Sequence, residues 1–139
     1  MRTLLIASGN SLRGDDGIAH RVLQLLSADA EARSVLQLTP ELAADIAGFD
    51  TVIFLDASVG SQTVTLEEVP KPAAPSALTH VTKPSEIVAL SSALFGFQGR
   101  ALQCRVPVAD FGAGEKLSLY AEDFAKEAAQ LLARSGVKT

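Results

Sequence analysis

Four bulky apolar residues, Val52–Ile53–Phe54–Leu55, follow one another between Thr51 and Asp56. A strand with one wet face alternates; an unbroken run fits a strand covered on both faces, as in parallel sheets flanked by helices. Arg2–Ala7, stopped by Ser8–Gly9–Asn10, reads in the same way as a buried strand entering a loop. From Asp16 to Ser27 the spacing turns helical, with Ile18, Val22, Leu25 and Leu26 on one face. Ser34–Leu38 alternates weakly and reads as a second strand. Thr39–Pro40–Glu41 then supplies a cap, a first-turn proline and an acid for a short helix ending near Gly48. Thr63–Val69 alternates like an edge strand, and Pro70–Pro75, with three prolines, reads as an extended surface loop. Thr82 can cap a helix that has Pro84 in its first turn, turns Ile87, Leu90 and Leu94 to the core and stops at Gly96.

Ala101–Val106 is the next strand. A loop with Gly112 and Gly114 leads to a last helix capped by Ser118 and closed by Gly136. Tyr120, Phe124, Ala128, Leu131 and Leu132 form its inner face. Strands alternating with helices predict an α/β three-layer sandwich: a mainly parallel, twisted sheet of about five strands with helices on both faces. At 139 residues, with no internal repeat or linker, one domain spanning residues 1–139 is expected.

Composition removes several function classes. Twelve basic residues against sixteen acidic ones leave a net charge of −4, the wrong balance for binding nucleic acid or an anionic membrane surface. Wholly apolar runs last about four residues, where a membrane span needs roughly 20. The apolar start is too short for a signal peptide, and the single Cys104 excludes an internal disulfide or a cysteine-cluster metal site. A cytoplasmic protein is the expectation.

In open α/β sheets, ligands sit beyond the carboxyl ends of the strands, so polar residues there carry the functional signal. Gly9–Asn10–Ser11–Leu12–Arg13–Gly14–Asp15–Asp16–Gly17 joins the first strand to the first helix. Its glycines permit sharp turns and close backbone approach. Asp15 and Asp16 enter a helix N-terminus, where one acid suffices as a cap and the other lacks a structural reason. Asp56 closes the most apolar strand, and His80 lies between the proline-rich loop and a helix start. Two carboxylates and an imidazole suit a divalent first-row metal such as nickel or zinc. His20, four residues after Asp16, is a rival ligand, though a solvated Asp–His pair is the plainer reading.

Other chemistries lack their residues. The glycine loop is neither G-x-G-x-x-G nor a Walker motif, and there is no G-x-S-x-G elbow. Ser8, Ser11 and Ser58 carry no local sign of activation, and Cys104 between Leu102 and Val106 reads as a core thiol.

The stretch Gly9–Gly17 resembles the opening motif of the hydrogenase maturation endopeptidases, which cut a C-terminal extension from the large subunit of nickel–iron hydrogenases. Asp50–Ala57 resembles the family's second motif, and Leu78–Thr79–His80 with the helix after it resembles the third. Order, spacing and length agree over essentially the whole chain. Two positions depart from the pattern: Ala7–Ser8–Gly9–Asn10 stands where Gly-x-Gly-Asn is common, and Leu38–Thr39–Pro40 replaces a glycine–threonine turn. The resemblance implies that Asp16, Asp56 and His80 are the metal-contacting and catalytic residues. It implies nickel supplied by the substrate precursor, no permanent cofactor and no Ser or Cys nucleophile. The implied partner is the large-subunit precursor. Two alternatives share parts of this pattern: a non-proteolytic relative that binds a metalloprotein, and a phosphoacceptor receiver domain. The receiver fits less well, because no Lys follows the strand Ala101–Val106 and His80 has no role in it.

Overall fold

Strand β3 (Thr51–Val59) lies in the middle of the sheet, with Val52–Leu55 buried. In this computed structural model, residues 2–9, 17–26, 31–70, 83–108 and 119–135 are described, residues 119 and 120 by backbone alone. Strands β1 (Thr3–Ser8) and β5 (Arg100–Val108) flank β3 in parallel. Strand β2 (Glu31–Val35) runs parallel to β1 at one edge, and β4 (Thr65–Glu68) runs antiparallel to β5 at the other. The order is β2-β1-β3-β5-β4.

The alternation of side chains along the central strands assigns the layers. Leu5, Ala7, Ile53, Leu55, Leu102 and Cys104 point to one side, where α1 (Ile18–Leu25) and α4 (Leu119–Arg134) bring Ile18, Val22, Ala125 and Leu132. Leu4, Ile6, Val52, Phe54 and Ala101 point to the other, against Leu42 and Ile46 of α2 (Leu42–Ile46) and Ile87 and Leu90 of α3 (Pro84–Phe95). Each fully buried Leu, Ile or Phe contributes roughly 1.5–3 kcal/mol by leaving water. Arg21 of α1 grips Glu122 of α4, its Nε donating to both carboxylate oxygens at 3.0 Å and Nη2 to Oε1 at 2.8 Å. The three-layer α/β sandwich expected from the sequence is the observed one.

Several boundaries differ from expectation. The second strand is Glu31–Val35 rather than Ser34–Leu38; four of its five residues are exposed, so backbone pairing with β1 defines it and hydrophobicity does not mark it. Strands β3 and β5 run past Asp56 and Val106 to Val59 and Val108, because each continues the other's ladder. The N-cap of α3 is Lys83, whose backbone N–H donates to Glu86 Oε1 at 3.2 Å; Thr82, the expected cap, lies outside the described residues. Leu94 does not face the core. It is 61% exposed, since the last turn of α3, Ser92–Phe95, projects into solvent on every side. Gly96 ends that helix as expected, in a left-handed conformation with φ of 71°. The residues named for capping and closing the last helix, Ser118 and Gly136, lie outside the described residues, as do Gly112, Gly114 and all of the proline-rich loop after Pro70.

Candidate functional site

The chain leaves β1 for β2 on one side and returns from β2 to β3 on the other. The carboxyl ends of β1 and β3 therefore form the point where connections diverge and a crevice opens. β1 stops at Ser8, level with Asp56, while β3 continues for three residues. Asp56 thus sits on a step in the sheet, beside a cavity of about 650 Å³ lined by Ser8, Gly9, Leu36, Lys83, Gln103 and Arg105 among others.

The strand period puts Asp56 on the same face as Val52 and Phe54, at the end of an apolar column. Its Oδ2 accepts a hydrogen bond from Gln103 Nε2 at 3.2 Å. Its Oδ1 is shut off from solvent with no hydrogen-bond partner among the described residues. Burial raises the Asp56 pKa above the usual aspartate value, while the Gln103 hydrogen bond and the charge of Arg105 pull the other way. A carboxylate with one anchored oxygen and one buried without a partner among the described residues has a single acceptor atom left to fill, by a proton, a cation or a water.

Behind Gln103 a polar row crosses the sheet. Arg105 Nη2 donates to Gln103 Oε1 at 3.2 Å, and Arg105 Nη1 reaches Glu67 Oε2 of β4 at 3.5 Å. Sequence reading picked out Leu102, Cys104 and Val106 on the apolar face of this strand and passed over Gln103 and Arg105. Their alternation was visible, but only the register of β5 against β3 aims them at Asp56.

Among the predicted site residues, the structure describes Asp56; Asp16 and His80 lie outside the described residues, as do Asp15 and residues 10–14 of the glycine loop. Among the described residues no group of three or more His, Cys, Asp or Glu could hold a metal ion. His20, the rival ligand, donates from Nε2 to the carbonyl of Gly9 at 2.7 Å. It therefore ties α1 to the start of the glycine loop, where Gly9 takes a φ of 142° and donates its N–H to Val35 at 3.1 Å. Cys104 is buried in β5 and its pKa is pushed up to about 12, first by burial and then by the negative charge of Asp56. A thiol in that state is no nucleophile at neutral pH. The Ser58 hydroxyl pairs with that of Ser61 at 2.6 Å rather than with a base.

Solved structures share this fold. The hydrogenase maturating endopeptidase HybD from E. coli matches with a TM-score of 0.67 at 21% identity, over 99% of this chain and 96% of that one. The [NiFe] hydrogenase maturation protease HybD from Thermococcus kodakarensis matches with a TM-score of 0.69 at 18% identity, over 99% and 100%. This is the maturation-protease fold. The maturation protease HycI of Thermococcus kodakarensis has it too, with a TM-score of 0.69 at 20% identity over 96% of this chain and 90% of that one. No protein-family model and no curated protein matches the sequence. Within the maturation-protease fold, Asp56 occupies the sheet's divergence point, and Gln103 and Arg105 stand behind it.

Proposed function

We propose that this protein is an endopeptidase of hydrogenase maturation, removing the C-terminal extension of a nickel-loaded large-subunit precursor. The observation that carries this reading is Asp56, a partly buried carboxylate with one oxygen unpartnered among the described residues, at the divergence point of a maturation-protease fold. The glycine-loop motif at Gly9–Gly17 and the strand motif at Asp50–Ala57 support it from the sequence.

In this reading Asp16, Asp56 and His80 contact nickel already seated in the precursor, and the enzyme holds no metal of its own. Nickel polarises the scissile carbonyl or a bound water. Water oxygen adds to the carbonyl carbon, the C–N bond breaks, and the protons of water end on the new amine and carboxyl group. The reaction takes place in the cytoplasm, on a precursor that no nucleic acid or membrane surface presents. Among the described residues no helix is long and apolar enough to cross a membrane. The receiver alternative loses ground on topology: the order β2-β1-β3-β5-β4 with an antiparallel β4 departs from the receiver's 2-1-3-4-5 sheet.

The test compares nickel-loaded with nickel-free precursor by mass measurement. The loaded precursor should lose its C-terminal tail in one cut, and the nickel-free form should persist even with enzyme in excess. Equal cleavage of both, or of an unrelated unfolded protein, would point to a general peptidase. Binding of loaded precursor without any cut would favour the non-proteolytic relative.

A further inference from the structure

Asp56 could have met Arg105 directly, since the two residues are paired across β3 and β5. Gln103 stands between their side chains instead, donating from Nε2 to Asp56 Oδ2 and accepting at Oε1 from Arg105 Nη2, both at 3.2 Å. A guanidinium has only donors, so it fixes which end of the amide it meets and turns the NH₂ end toward Asp56. A flipped amide would set its oxygen against the carboxylate and its NH₂ against the guanidinium. Glu67 Oε2, at 3.5 Å from Arg105 Nη1, holds the cation from its far side.

The interposed amide changes what Asp56 can offer. A direct Arg–carboxylate pair tends to occupy both oxygens with two parallel hydrogen bonds and answers the negative charge in full. A neutral amide holds one oxygen, leaves the other unpaired among the described residues and keeps the positive charge one side chain away. Oδ1 is the oxygen left without a partner among the described residues.

We propose that Gln103, with its amide polarity set by Arg105, is a positioning residue that orients the Asp56 carboxylate for single-atom contact through Oδ1 with the substrate's cation. This rests on the reading of Asp56 as a contact to the precursor's metal. Gln103 touches neither the reacting bond nor the metal; it acts through Asp56.

Gln103→Met keeps the side chain's length and removes both hydrogen bonds. On nickel-loaded precursor its kcat should fall about 10- to 100-fold, the range for losing a partner that orients a metal-contacting group, with KM nearly unchanged. Arg105→Met leaves the amide present but free to flip, and should give a smaller fall in kcat; it keeps the proposal testable if the first variant folds poorly. An independent readout is the side-chain amide signal of Gln103 in ¹⁵N spectra of the full chain. It should shift in both Asp56→Ala and Arg105→Met, since each removes one of its two partners. Wild-type kcat in a folded Gln103→Met, or a raised KM with kcat intact, would overturn the positioning role while leaving the protease reading standing. Failure of the wild-type enzyme to cut loaded precursor would overturn both together.

Discussion

At the scale of single residues, Asp56 sets stability against function. Burial lifts its pKa, so the folded protein holds the proton more tightly than the unfolded chain does. The sign follows from linkage: ionising the group weakens the fold, by an amount absent well below the ordinary aspartate value of 3.8 that grows as pH climbs through the raised folded value. Asp56→Asn, which keeps the volume and can still accept from Gln103, should therefore unfold at a higher temperature than wild type at pH 7, with the gap closing in acid. The same variant should lose at least about 100-fold in cleavage, the upper end of what outer partners of a metal contribute. Melting curves at two pH values and one rate measurement check both halves; a variant that is less stable at pH 7 would refute the burial argument. Cys104→Ala should behave in the opposite way, with cleavage nearly intact and stability lower by about 1 kcal/mol, read from denaturant unfolding. Collapse of turnover in that variant while folded would reveal a thiol mechanism. Asp56 was legible in the sequence because an acid after four apolar residues is conspicuous. Gln103 was not, because its meaning depends on a partner 47 residues away in the chain.

Among the elements, legibility tracked burial. β3 and the core face of α3 announced themselves through unbroken or periodic apolar residues, and Ile87 and Leu90 are buried as the spacing requires. β2 was misplaced by three residues at its start because an exposed edge strand has no hydrophobic signature to read. Leu94 continues the period of Leu90, but the period describes a face and not whether anything covers it. The turn into β5 shows a constraint of a different kind. A Cβ built on Gly99 would lie 2.7 Å from the carbonyl oxygens of Phe49 and Asp50 and from the Phe97 ring. The two oxygens belong to backbone that also anchors the strand, Arg100 N–H donating to Asp50 O at 2.8 Å. Gly99→Ala should thus destabilise by about 1–3 kcal/mol, the usual range for overpacking, without touching the cavity by Asp56. Denaturant unfolding measures the first part and kcat in the folded fraction the second; an unchanged midpoint would mean that the turn yields freely.

For the whole molecule, the register of the central strands has a consequence in time. β3 is complete once residue 59 is made, yet its second neighbour is residues 100–108. Chains are synthesised at about 5–20 residues per second, so the interval separating Asp56 from Gln103 occupies roughly 2–9 s. Throughout it the nascent chain carries its most apolar strand with one edge unpaired, the condition that invites pairing with a neighbouring polypeptide. During the same interval the Asp56 carboxylate has no amide to orient it. The hazard and the incompetence end together, when β5 leaves the ribosome and closes the ladder.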